Sequence, residues 1–172
     1  MSELGPDEIR GHLVQLRKRV GEHFDAAVGR TPAAFACREG CDQCCHARFG
    51  VFELEAAPIR ERLARMSKED PKLRARVRAQ ADDPAHADRC ALLVDGRCSV
   101  YEERPLICRS QGLPLLVDER VDWCPLNFTD GSPPRESVLS LDALNAPLVA
   151  LARAWSGAEL ARVELATLAR DD

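Results

Sequence analysis

The chain has 172 residues, 45% of them hydrophobic and 5% aromatic, with a formal net charge of −4. That length suits one domain of about 100–200 residues with a core of its own, and the acidic balance argues against a nucleic-acid binder, which normally carries a basic excess. No apolar run approaches the roughly 18 residues of a membrane span. The acidic start, Met1-Ser2-Glu3-Leu4, lacks the basic-then-apolar layout of a signal peptide, so the expected location is the cytoplasm, where thiols stay reduced.

The first predicted element is a helix over 6–28. Pro6 suits a first helical position, where its missing N–H costs nothing. Ile9, Leu13, Leu16, Val20 and Phe24 then recur at three- and four-residue steps and give one apolar face. His12 and His23 lie at the edge of that face and read as flank residues rather than metal ligands. Residues 29–50, with Gly29, Thr31-Pro32, Gly40 and the first cysteines, read as a loop with short helical turns.

A helix is predicted from about 54 to 66 on Leu54, Ile59, Leu63 and Met66. Asp70 as N-cap and Pro71 at the first position open another that runs to about 80 and ends at Asp82-Asp83-Pro84. Residues 60–78 carry eight Lys/Arg against three Asp/Glu. This run offers a docking face for an acidic protein partner, although a solvated helical face is the preferred reading.

Cys90 to Val94, Asp95-Gly96 and Arg97 to Tyr101 form a hairpin signature, because Asp-Gly accepts the positive φ angles of a type I′ turn. A weaker hairpin joins Leu113–Val117 to Arg120–Trp123. Residues 137–144 are ambiguous between strand and helix. Asn145 is expected to cap a helix with Leu148, Leu151 and Trp155 on one face, and Ser156-Gly-Ala-Glu159 to open a last helix through Leu168 as a capping box. The fold class is therefore α+β and mostly helical, a single domain over 1–172. Helical segments at 6–28 and 137–169 flank a cysteine-rich metal-binding centre over about 37–125 with one or two short hairpins.

The eight cysteines are Cys37, Cys41, Cys44, Cys45, Cys90, Cys98, Cys108 and Cys124. Three- and four-residue steps place Cys37, Cys41 and Cys44 in one narrow sector of a helical turn; a tight loop of the same length would also aim three sulfurs inward. Cys45 follows Cys44 directly, so the two side chains are expected to diverge, with Cys45 serving the far side of a cluster or a second metal. Cys98 lies just past the Asp95-Gly96 turn, Cys108 follows Arg104-Pro105 and Cys124 precedes Pro125, positions typical of metal knuckles. Thiolate sites select zinc or iron–sulfur chemistry over hard cations. Eight ligands fill two four-cysteine zinc sites, or hold one four-iron cluster with cysteines left for a second site.

Disulfides are disfavoured in a reducing compartment, and eight buried apolar cysteines do not account for four of them within nine positions. Thiol catalysis needs a base, and only His46 stands beside a cysteine; it reads as a surface or supporting residue. Cys37-x3-Cys41-x2-Cys44 also has the spacing of radical S-adenosylmethionine enzymes. The chain lacks the strand–helix alternation and length of their barrel, and Gln43 stands where that motif has an aromatic.

Three pieces together resemble the YkgJ-type cysteine-cluster family, described as zinc- or iron-chelating. They are Cys37-x3-Cys41-x2-Cys44-Cys45; Cys98-Ser-Val-Tyr101-Glu-Glu-Arg104-Pro105-Leu-Ile-Cys108-Arg109; and Trp123-Cys124-Pro125. The resemblance implies a metal site built by all eight cysteines, holding an iron–sulfur cluster or zinc. A related cysteine domain occurs in a flagellin lysine methylase, yet no glycine-rich turn for S-adenosylmethionine follows a strand here. Arg104 and Arg109 beside Cys108 are placed to offset thiolate charge, and Tyr101 and Trp123 to cover the site against water.

The functional expectation is a cytosolic metal-binding protein with a structural or redox centre. The alternatives are an iron–sulfur-dependent modification enzyme or oxidoreductase, and a zinc-bearing interaction module that docks through 60–78. No catalytic residue emerges: there is no phosphate-binding glycine loop, no His-Glu-x-x-His motif and no Ser/His/Asp set among only four histidines.

Overall fold

The structure, a computed structural model, describes residues 4–157 and 160–171. In chain order its elements are α1 (Pro6–Arg30), β1 (Gly50–Phe52), α2 (Glu53–Glu69), α3 (Pro71–Asp82), β2 (Leu93–Val94), β3 (Arg97–Cys98), α4 (Leu106–Ser110), β4 (Leu115–Val117), β5 (Arg120–Asp122), β6 (Leu139–Ser140), α5 (Leu141–Ser156), β7 (Arg162–Glu164) and α6 (Leu165–Arg170). The fold is α+β and mostly helical, as expected, with the cysteines in the middle of the chain. Among the described residues no helix is long and apolar enough to cross a membrane. The chain packs as two compact units: one up to Arg38 plus the stretch from Leu106 to 157, the other Glu39–Pro105 plus the C-terminal residues from 160.

The first unit is organised by α1. Ile9, Leu13, Val20 and Ala27 are buried on its inner stripe, and it packs against α4 and α5. The Glu8 carboxylate accepts from the Gly5 N–H (2.8 Å) and closes the helix start. In α5 the buried residues Leu144, Leu148 and Ala152 recur every four residues. Its cap is Ser140, whose hydroxyl accepts from the Ala143 N–H (3.2 Å), so Asn145 lies inside the helix rather than at its start. The reason is that residues 137–144 are mixed: a short turn at Arg135–Ser137 leads into β6, and α5 begins at once. The β4–β5 hairpin turns through Asp118 (φ 46°) and Glu119 (φ 64°), and β6 pairs in parallel with β4.

The second unit holds the larger apolar core, with Val51, Ile59, Leu63, Met66, Val77, Leu92 and Leu168 at its centre. Antiparallel β1 and β7 run directly into α2 and α6. Asp70 caps α3 by accepting from the Leu73 N–H (2.9 Å), as the Asp-Pro pair predicts. The Asp95-Gly96 turn has φ 52° and 73° and joins β2 to β3 in the expected hairpin.

The last helix differs from expectation. It starts at Leu165, after β7; Gly157, at φ 76°, ends α5. Glycine is suited to that left-handed exit, and the Ser156–Glu159 pattern therefore reads as a stop. Ala158 and Glu159, the rest of the expected capping box, lie outside the described residues.

The basic run 60–78 finds carboxylates within its own unit. Arg60 bonds Glu53 (2.6 Å), Arg62 bonds Glu69 (2.8 Å), Arg65 bonds Glu103 (2.9 Å) and Arg76 bonds Asp95 (2.6 Å). Such exposed pairs add about 0–1 kcal/mol each, but they answer much of the charge that made the run look like a docking face.

Candidate metal centre

The first cysteine segment is a loop and not a helix. Gly40, at φ 87°, turns the chain, and one 3-10 turn follows at Gln43–Cys45, closed by the Cys45 N–H on the Asp42 carbonyl (2.8 Å). Cys37 lies in the first unit, just before the division after Arg38, and Cys41, Cys44 and Cys45 lie in the second. No helical sector gathers Cys37, Cys41 and Cys44.

Within the second unit the Cys90 N–H donates to the Cys45 carbonyl (2.8 Å) and joins this turn to the start of the hairpin. Cys98 sits on β3 opposite Leu93. The hairpin thereby returns Cys98 toward Cys90, and Cys44, Cys45, Cys90 and Cys98 all act on one another electrostatically. Cys44 and Cys45 do not diverge as expected: their thiols hydrogen-bond to each other. A single 3-10 turn, with no helix continuing on either side, leaves neighbouring sulfurs free to meet.

That bond sets the charge of the pair. The Cys45 thiol donates to Cys44 and lowers the Cys44 pKa to about 6, helped by a backbone N–H and Arg104 against burial and Asp42. Cys45 is pushed up correspondingly, first by giving that bond, then by burial and by its sulfur neighbours. Burial raises Cys90 to about 11, while the N–H groups of Leu92 and Leu93 favour its ionised form. Burial also raises Cys98, opposed by the Val100 N–H and Arg104. Backbone amides directed at cysteine sulfurs two or three residues back are what a thiolate knuckle requires, because they stabilise sulfur charge.

Arg104 acts on this group from a fixed position. Its guanidinium lies 3.5 Å from the centroid of the Tyr101 ring, and its Nε–H donates to the Tyr101 carbonyl (2.9 Å). Tyr101 is 56% exposed, so it supports the arginine more than it shields sulfur. A cavity of about 370 Å³ opens beside Cys98, with Arg62, Arg65, Glu69, Tyr101 and Glu103 on its walls. His46 faces Asp42 at 3.5 Å.

The first unit holds Cys37, Cys108 on α4, and Cys124 after β5. Asn127 connects the segments that carry them. Its backbone N–H donates to the Cys124 carbonyl (2.8 Å), and its side chain reaches Cys37 and Gly112, just beyond α4. Phe24, Phe35, Phe128 and Trp123 form a chain of edge-to-face and tilted contacts in the same unit, with centroids 5.0–6.5 Å apart. Trp123 therefore packs on Phe128. His23 hydrogen-bonds through Nε2 to the Ser137 carbonyl (3.0 Å), in keeping with a flank residue. Sequence reasoning passed over Asn127 and Gly112; the available signals were an amide three residues after Cys124 and a glycine closing a short helix.

None of the eight cysteines, all of them described, forms a disulfide. Among the described residues no group of three or more His, Cys, Asp or Glu side chains is gathered closely enough to hold a metal ion. A family model described as CxxCxxCC, "putative zinc- or iron-chelating domain", matches residues 36–125, more than half of the chain. This chain belongs to that family. No curated protein and no solved structure matches it.

The CxxCxxCC region contains all eight cysteines, and its donor set fits the family's description. Thiols dominate it, one of them has its pKa lowered to about 6, and amides and an arginine offset sulfur charge. Soft donors of this kind suit zinc and iron.

Proposed function

We propose that the chain is a cytoplasmic metal-chelating protein whose eight cysteines act as thiolate ligands of zinc or an iron–sulfur cluster. Cys44, Cys45, Cys90 and Cys98 make one four-thiolate centre, and Cys37, Cys41, Cys108 and Cys124 provide further ligands. The observation that carries this reading is the join in the second unit, where the Cys90 N–H bonds the Cys45 carbonyl (2.8 Å) and the hairpin sets Cys98 opposite Leu93, three residues after Cys90. Bound zinc would cross-link the 3-10 turn to the hairpin; a cluster would add one-electron chemistry. The chain's own contribution is to hold the sulfurs on short, hydrogen-bonded turns and to offset their charge with Arg104.

A second reading, an iron–sulfur-dependent modification enzyme or oxidoreductase, draws support from the cavity beside Cys98. It requires a substrate to reach that sulfur past the Arg65–Glu103 pair.

Metal uptake should be strongly pH-dependent, and its sign follows from the thiols. Near neutral pH the Cys44–Cys45 pair holds one proton between its members, and Cys90 and Cys98 are protonated because their pKa values are raised. Zinc binding should release about three protons at pH 7, and affinity should rise with pH between about 6 and 8. Calorimetric titration of reduced, metal-free protein in buffers of different ionisation enthalpy measures both. Zinc uptake without proton release would count against thiol ligation, and no uptake at all would end the proposal.

A further inference from the structure

We propose that Asn127, which lies outside the family match at 36–125, is a positioning residue for the Cys37 sulfur. It holds that sulfur in the accepting state of a soft-metal ligand by donating a side-chain N–H to it. The inference rests on the reading of Cys37 as a ligand.

Asn127 is only 1% exposed, so each of its polar atoms needs a partner. Its Oδ1 accepts from the Ala36 N–H (2.8 Å), the residue before Cys37. Its Nδ2 donates to the Gly112 carbonyl (2.8 Å) and to Cys37 Sγ (3.4 Å). The amide therefore sees Cys37 from two sides: one bond fixes the backbone that carries the cysteine, and another meets the sulfur. The reverse contact, from the thiol to Oδ1, spans 3.9 Å, which is long beside the 3.4 Å donation. The geometry thus favours a sulfur that accepts.

The surroundings are shaped to that sulfur. Gly112 has φ 91°, and a Cβ built on it would come within 2.5 Å of Cys37 Sγ. Only glycine accommodates both that backbone conformation and the close approach. The next residue after Asn127, Phe128, also lies in the left-handed region (φ 53°), and its N–H is bonded to the Ala34 carbonyl (2.8 Å). Packing of Phe35 on Phe128 (5.0 Å between centroids) and of Phe24 on Phe35 (5.8 Å) adds apolar neighbours. In such an environment a directed N–H on sulfur counts for more than it would in water. A neutral amide meets this need, whereas a carboxylate in its place would repel a thiolate.

Two experiments test the assignment. In protein loaded with the spin-half cadmium isotope, the Asn127 side-chain amide proton should show scalar coupling to cadmium through the N–H···S bond. An assigned Asn127 amide without that coupling overturns the proposal, and no variant has to fold for this result.

Asn127→Asp keeps the acceptor for Ala36 and removes the donor. It should weaken cobalt(II) binding by about 10–100-fold, the usual effect of losing a partner to a ligand, and should shift the sulfur-to-cobalt absorption band. Wild-type affinity and band in Asn127→Asp, alongside metal loss in Cys37→Ser, would overturn the positioning role and leave the metal centre standing. Failure of the wild-type chain to take up either cobalt or zinc would remove both.

Discussion

Replacing Cys98 by serine is expected to strip most of the bound metal from the protein and to loosen the segment around the β2–β3 hairpin. Serine matches the shape of cysteine but offers a hard oxygen that does not ionise near neutral pH, so the proposed four-thiolate centre would lose one of its soft ligands. Whole thiolate–zinc sites contribute on the order of 10–16 kcal/mol to folding in small domains. The loss in affinity should therefore exceed the roughly 10–100-fold drop that follows loss of an outer partner.

The damage should stay local. Ile59, Leu63, Met66, Val77 and Leu168 bury an apolar core on α2, α3 and α6; Leu92, Val94 and Val100 of the hairpin segment also belong to it, and Cys90 and Cys98 pack against its edge, so the hairpin should loosen before the helices do. Hydrogen exchange on metal-loaded protein should show faster exchange at 43–46 and 90–100 in Cys98→Ser, with α2 and α3 still protected. Cys90→Ser should behave alike, since its N–H and sulfur both belong to the join between turn and hairpin. Full metal content in both variants would remove them from the ligand set.

Arg74→Ala should destabilise the second unit by about 2–4 kcal/mol, the range for breaking a buried charged hydrogen-bond set. Arg74 is only 4% exposed although it is fully charged. Its Nη1 donates to the Ala169 carbonyl (2.7 Å) and its Nη2 to the Asp171 carbonyl. These are the carbonyls that a short helix such as α6 leaves without partners at its C-terminal end, and the planar fork of arginine reaches two of them together. Alanine would leave the buried Ala169 carbonyl without its donor and remove the link from α3 to α6. Lysine, a single rotatable head, should recover only part of the loss. Denaturant unfolding measures the effect, and metal content per folded molecule should stay unchanged. A change below about 0.5 kcal/mol, typical of ordinary surface substitutions, would contradict this role for the buried guanidinium.

The sequence carried most of the secondary structure because its signals were local. Pro6 with the Ile9–Leu13–Val20 stripe marked α1, Asp70-Pro71 marked the start of α3, and Asp95-Gly96 marked the hairpin that returns Cys98. The errors fell where two local signals competed. Asn145 is a good cap in isolation, but Ser140 lies five residues earlier with a free approach to the Ala143 N–H, and the helix starts there. Gly157 fits a capping-box pattern as text and a helix stop as conformation, and its φ of 76° decides for the stop.

The cysteines show the same division. Their identity and count were visible, and with them the chemistry of the donor set. Which sulfurs become neighbours was not, because that depends on the loop at Gly40 and the 3-10 turn at Gln43–Cys45. A helical sector and a tight loop were both open for Cys37, Cys41 and Cys44, and the segment is a loop with one 3-10 turn. Adjacent Cys44 and Cys45 were expected to part and instead share a hydrogen bond. Asn127 escaped notice for a related reason: its partner Cys37 is 90 residues away, and no periodicity or turn rule spans that distance.

The most direct measurement is elemental analysis with a visible absorption spectrum, on protein purified without oxygen and without added metal. Stoichiometric zinc in a colourless sample, or iron with a sulfur-to-iron absorption band, is the expected result, and the choice between them also fixes the cofactor. Protein that is folded, fully reduced at all eight thiols and free of both metals, and that stays so when either is supplied, would contradict metal chelation by this chain.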